Sequence, residues 1–184
     1  ANNVRVKGNT VLDCAVGFGG LVATNVVIST NTITGTGDLI KSGADCDLHT
    51  VSANILNGDA TSGASTGVTS NESSNVTVSA NTINGARIGV FFSDNGLTTA
   101  RGGAISGNTI IDCGQIGSVG TATAIVVSGS DHTTVSGNNI ADPANDGVKV
   151  TDSNDCTVTG NAVVGAGAWA FNFEDLVGIT CSGN

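Results

Sequence analysis

The sequence has no Met and no Tyr, one Pro and one Trp, and only six Lys plus Arg against fifteen Asp plus Glu in 184 residues. Each shortage excludes something. A net charge of −9 leaves no clustered cations for nucleic acid or an anionic membrane surface, so neither is expected as a partner. No apolar run approaches the roughly 18 residues that a membrane-spanning helix needs. The opening stretch ANNVRVKGNT lacks the charged-then-apolar pattern of a secretion signal, and the chain is expected to be a single domain, 1–184, cut from a longer protein. The five Cys show no C-x-x-C spacing, which argues against zinc.

What is abundant is Gly, 27 of them, together with Val, Ile, Ala, Thr, Ser and Asn. β-Branched residues fit pleated surfaces, while Gly and Asn supply tight bends. The arrangement is periodic. Eight Asn follow a V-x-V-x-x pattern: Asn9, Asn31, Asn54, Asn81, Asn108, Asn138, Asn161 and Asn184, at spacings of 22 to 30 residues. A period in that range means stacked supersecondary units. Three residues before each anchor stand Val6, Ile28, Val51, Val78, Ile105, Val135, Val158 and Cys181; two after it stand Val11, Ile33, Leu56, Ile83, Ile110, Ile140 and Val163. Alternation on both sides of the Asn predicts two short strands meeting at a bend. A third strand precedes them, as GVFF (89–92), AIVV (124–127), GVKV (147–150) and AFNF (170–173).

Three short strands per coil, with no helix between them, predict an all-β right-handed parallel β-helix, a solenoid of about seven coils in which each coil pairs only with its neighbours. Seven Leu are too few for a leucine-rich repeat. The anchor Asn has a mechanical role in this scheme. Its amide can bond to the Asn of the next coil, about 4.8 Å away, and can satisfy backbone groups that the bend leaves unpaired. The eight Asn are therefore read as a structural ladder.

The unit N-x-V-x-V-x-x-N-x-I-x-G…G-I/V-x-V resembles the parallel β-helix repeat shared by phage tailspikes and tail-fibre depolymerases, pectate lyases and polygalacturonases, alginate epimerases, and periplasmic copper-site maturation proteins. The resemblance spans almost the whole chain and concerns the fold. It implies that glycan-contacting or catalytic residues lie on the outer face of the coil's leading strand and its following turn. It also implies a trimer, by similarity to tailspikes, and a place on a virion surface or outside the cell.

On that face, counting twelve back from the anchors gives Ser42, Thr69, Val126, Lys149 and Asn172, with Phe91 joining them. Nine back gives Asp45, Glu72, Asp152 and Asp175, interrupted by Gly129, with Glu174 and Asp94 close by. Asp152 and Asp175 on successive coils would lie about 5 Å apart. Such a pair could serve as acid and nucleophile of a retaining glycosidase, could hold Ca²⁺ as a cofactor, or could be a solvated turn, since Asp favours turns anyway. The solvated turn is the expected outcome. Chemistry on uronic acids needs a base plus cations, and Arg5, Lys7, Lys41, Arg87, Arg101, Lys149, His49 and His132 are a thin supply. The Asp-Pro-His-Asp motif associated with alginate epimerases is missing.

Lys149 is expected to pair with Asp152, and Phe91 and Val126 to form an exposed apolar pair for a glycan, a long insertion or another subunit. Cys156 and Cys181 are expected inside as free, unreactive thiols, and Cys14 and Cys113 lie too far apart to bond. The leading functional expectation is a non-catalytic, oligomeric stem of a tailspike-like or other extracellular surface protein that contacts polysaccharide, with Phe91, Val126, Lys149, Asn172 and Glu174 as its contact residues. The alternative is a polysaccharide-degrading enzyme acting through Asp152 and Asp175.

Overall fold

Side chains alternate in direction along a strand, so the Val, Ile and Leu beside each anchor Asn turn to one face. In the computed structural model, which describes residues 3–20, 23–43, 46–59, 65–93, 102–114 and 122–184, that face is the inside of a β-solenoid. Three parallel sheets run its length, and no described residue is helical. The first sheet has eight strands, from Arg5–Lys7 to Thr180–Ser182, each just before an anchor Asn. The second has seven, from Thr10–Cys14 to Ala162–Val164, each just after one. The third also has seven, from Phe18–Gly20 to Phe171–Glu174. Three of its strands, Phe18–Gly20, Asp38–Ser42 and Thr66–Asn71, are not visible as apolar runs in the sequence.

Register is strict. Val78 lies between Val51 and Ile105, and Ile83 between Leu56 and Ile110, so like positions stack coil upon coil. Ile33, Leu56, Ile83, Ile110 and Ile140 have no exposed surface, and the inward column of the third sheet, Ile40, Val68, Val90, Ile125 and Val148, closes the core against them.

The bend between the first two sheets has a fixed backbone requirement. The residue before each anchor Asn lies in the left-handed region: Gly8, Thr30, Ala53, Ala80, Gly107, Gly137, Gly160 and Gly183. A side chain there crowds its own carbonyl. A Cβ on Gly107 would meet nothing within 4 Å, so Gly107→Ala isolates the backbone term. We expect it to cost about 1 kcal/mol in denaturant unfolding. A neutral result would show that this bend tolerates any residue.

At the bend the Asn side chains form a continuous chain of amides. The backbone N–H and the Nδ2 of Asn54 both donate to Asn81 Oδ1 at 3.0 Å. Asn81 repeats the pattern onto Asn108, Asn108 onto Asn138, and Asn138 onto Asn161. The series starts at Asn9 on Asn31 and ends with Asn161 on Asn184. Each Nδ2 also donates backwards, as from Asn81 to Val51 O and from Asn108 to Val78 O, both at 3.0 Å.

Two inward positions differ from the sequence reading. Ser42 is buried, and Lys41 takes the outward place beside Thr69. The segment joining the Asp38–Ser42 strand to Asn54 is one residue longer than those of the coils on either side, which shifts the count. Inside, Ser42 Oγ meets His49 Nδ1 at 2.9 Å, and His49 Nε2 meets Ala23 O at 3.0 Å. The core thus accepts a His where other coils place Val by adding a Ser opposite it. None of the five Cys is in a disulfide; Cys113 and Cys156 are buried, and Cys181 is aligned with the inward Val158, the place expected of it, with its thiol exposed on the last coil.

Candidate functional site

The outward column of the third sheet runs Lys41, Thr69, Phe91, Val126, Lys149 and Asn172 in consecutive register. Phe91 and Val126 are aligned on neighbouring coils of this outward column, as expected from the sequence, and are half-buried rather than fully exposed. At the other end of the same sheet, Lys41 pairs with Asp38 at 3.2 Å, and Thr69 donates to Asp38 Oδ1 at 3.1 Å.

Beyond four of the third-sheet strands the chain turns through a left-handed residue, and the acidic column sits there. Glu72, Gly129, Asp152 and Asp175 all have positive φ, between 51° and 65°. This explains why Gly interrupts a column of acids: the shared property is tolerance of the left-handed region, where Asp and Gly are favoured. Asp45 and Asp94 lie outside the described residues. Asp152 and Asp175 occupy equivalent exposed places on successive coils, and the Asp152 N–H donates to Glu174 O at 3.2 Å. Thr151 Oγ1 donates to Asp152 Oδ2 at 3.1 Å.

Lys149 does not pair with Asp152. Its Nζ lies 3.0 Å from Glu174 Oε2 on the next coil, a diagonal neighbour two places beyond the aligned Asn172 and on the same face of the sheet, within reach of a long side chain. Asn172, aligned with Lys149, donates from Nδ2 to Glu174 Oε1 and to Asp146 Oδ2, each at 3.1 Å. Asp146 is buried, 2% exposed, and its second oxygen accepts the Trp169 N–H at 3.2 Å. A buried carboxylate therefore anchors an Asn, the Asn orients an exposed Glu, and a Lys completes the pair.

The hydrogen bond from Lys149, then that from Asn172, then the Lys149 charge hold the Glu174 carboxyl below its ordinary 4.5. A lowered carboxyl stabilises the fold above its ordinary value, and that contribution fades as pH falls through the lowered one. We expect Lys149→Met to move the Glu174 titration, followed by carboxyl NMR, upward. An unchanged midpoint would mean the pair is not formed in solution. The direction of the shift also bears on chemistry. A glycosidase acid needs its pKa raised, whereas Glu174 is held ionised, suited to accepting hydrogen bonds.

Sequence reasoning missed Asp146 and Trp169. Both stand fifteen residues before an anchor, Asn161 and Asn184, so extending the column count by three places would have found them. Trp169, the one Trp in the chain, holds on the last coil the place that Asp146 holds, buried, on the coil before it.

The chain matches the family described as periplasmic copper-binding protein (NosD) over residues 1–124 and again over 49–184, together its full length. No curated protein sequence matches it. Among solved structures it is similar to the enzymatically active domain of tailspike protein 2 from bacteriophage CBA120, with 13% identity and a TM-score of 0.46. It is also similar to full-length tailspike protein 2 of an Escherichia coli O157:H7 bacteriophage, with 11% identity and a TM-score of 0.45. These matches cover 96% and 95% of this chain but only 39% and 35% of those proteins.

Proposed function

The chain belongs to the family of periplasmic copper-binding proteins (NosD), and on that premise we propose that it is the rigid β-solenoid stem of an extracellular or virion surface protein that contacts polysaccharide at Asn172, Glu174 and Lys149. The observation that carries this reading is a preorganised polar group set on the outward face, where Lys149 and Asn172 converge on Glu174. A sugar hydrogen-bonds at its edge to fixed donors and acceptors. Here the buried Asp146 fixes Asn172 before any ligand arrives, which lowers the ordering cost of binding. The stem role rests on the amide ladder and the three unbroken sheets, in which every coil is hydrogen-bonded to the next.

The test is a panel of bacterial capsule, O-antigen and plant polysaccharides, scored by titration calorimetry and by release of reducing ends. We expect saturable binding of at least one glycan without release, weakened several-fold in Asn172→Ala and in Glu174→Ala. Asp152→Asn and Asp175→Asn should leave binding intact. Release of reducing ends that either Asp change abolishes would replace this reading with the glycosidase. Failure of every glycan to bind would end the contact role.

A further inference from the structure

Every Cys and His of the chain lies among the described residues, and the sequence has no Met, so its complete set of soft metal donors can be placed. Copper(I) selects thiolate, thioether and imidazole ligands, and copper(II) takes imidazole with oxygen or nitrogen in tetragonal geometry. The seven donors are scattered along the solenoid, and most are already engaged.

His49 is 2% exposed with both ring nitrogens bonded. Ala23 O can only accept, so Nε2 carries the proton and Nδ1 accepts the Ser42 hydroxyl. No lone pair remains for a metal. Cys46 and Cys113 are fully buried, and the Cys156 thiol, 1% exposed, donates to Ser130 O at 3.5 Å. A thiol must ionise to bind metal. Burial, with the Asp112 charge adding to it, pushes Cys113 up to about 12, and burial raises Cys156 as well. The half-buried Cys14 thiol donates to Thr34 O at 3.5 Å.

The exposed donors are His132 and Cys181. His132 stands six residues before Asn138 and Cys181 three before Asn184, two coils further on, hence at least about 9 Å away along the axis. Metal–ligand bonds of about 2.0–2.3 Å allow two ligands of one ion to be no more than about 4.6 Å apart. His132 Nε2 has only Asp155 Oδ2 within reach, at 3.7 Å. Among the described residues no three His, Cys, Asp or Glu side chains converge.

We infer that this chain keeps the solenoid of its family without a copper site: its coils neither hold the metal nor pass it on. The residues present do not fit the ion that the family's description names. Dialysis of the reduced 184-residue chain against copper(I) buffered by bathocuproine disulfonate, and separately against copper(II) buffered by glycine, tests this directly. Metal analysis should find well under one equivalent per chain in both. The melting temperature should not rise with buffered copper, because only a ligand that prefers the native state raises it by mass action. One equivalent retained in either dialysis, or a melting temperature that climbs with copper, overturns the inference.

Discussion

Asn81→Ala should cost the fold about 3 kcal/mol or more, the sum of several buried polar groups each losing a partner at about 1–3 kcal/mol. Asn81 is 1% exposed and makes four side-chain hydrogen bonds. Its Oδ1 accepts two N–H groups of Asn54; its Nδ2 donates to Val51 O and to Asn108 Oδ1. Truncation strands the two donors of Asn54 and the carbonyl of Val51. Asn108 Oδ1 keeps one donor, the Asn81 backbone N–H at 3.0 Å. Asn81→Asp sharpens the test because it preserves shape. The carboxylate still accepts from Asn54, but it sets a buried charge against Val51 O and Asn108 Oδ1, so its loss should equal or exceed that of Ala. Urea unfolding followed by far-UV circular dichroism measures both. A loss under about 0.5 kcal/mol for either would mean the ladder is a passenger of the bend rather than its support.

Ile110→Ala should destabilise by about 3–5 kcal/mol, the upper part of the range for large-to-small core changes. The cost of a cavity depends on whether its walls can close. Here they cannot close readily. Ile110 is fully buried, and its strand is laddered to Thr82–Asn84 on one side and Asn139–Ala141 on the other. The opposing wall is equally fixed: a Cβ on Gly89 would lie 2.7 Å from Ile110 Cγ2 and 2.5 Å from Ala124 O. Gly89 exists at this place so that Ile110 can fill it, and no helix is available to slide inward. Ile55→Ala is the control. Its side chain points outward at 47% exposure in the same sheet and should change stability by only a few tenths of a kcal/mol. Equal losses at the two positions would contradict the inside–outside assignment of the whole second sheet.

By itself the sequence determined the coil. Inward Val, Ile and Leu recur at fixed distances from an Asn, and a period-2 strand leaves no freedom over which face they take, so the three sheets, their register and the ladder follow from spacing. The left-handed bends were partly legible too, in the Gly before five of the eight anchors. Counting failed where coil lengths change, as at Ser42 and Lys41, because a one-residue insertion in a turn reverses the face of the strand before it. What only the tertiary structure decided is everything that depends on two coils at once. Lys149 could choose among Asp152 and Glu174 by sequence, and the ladder brings Glu174 to it. Asp146 reads as an ordinary loop acid until the next coil is laid over it, burying its carboxylate and supplying Asn172 and the Trp169 N–H. By sequence the acidic column admitted paired chemistry, a cation site or the solvated turn that was expected, and its positive φ angles show a backbone constraint that Gly129 meets equally well. Strand spacing is local and is written in the chain, whereas side-chain partners are chosen between coils more than twenty residues apart, where sequence distance carries no information.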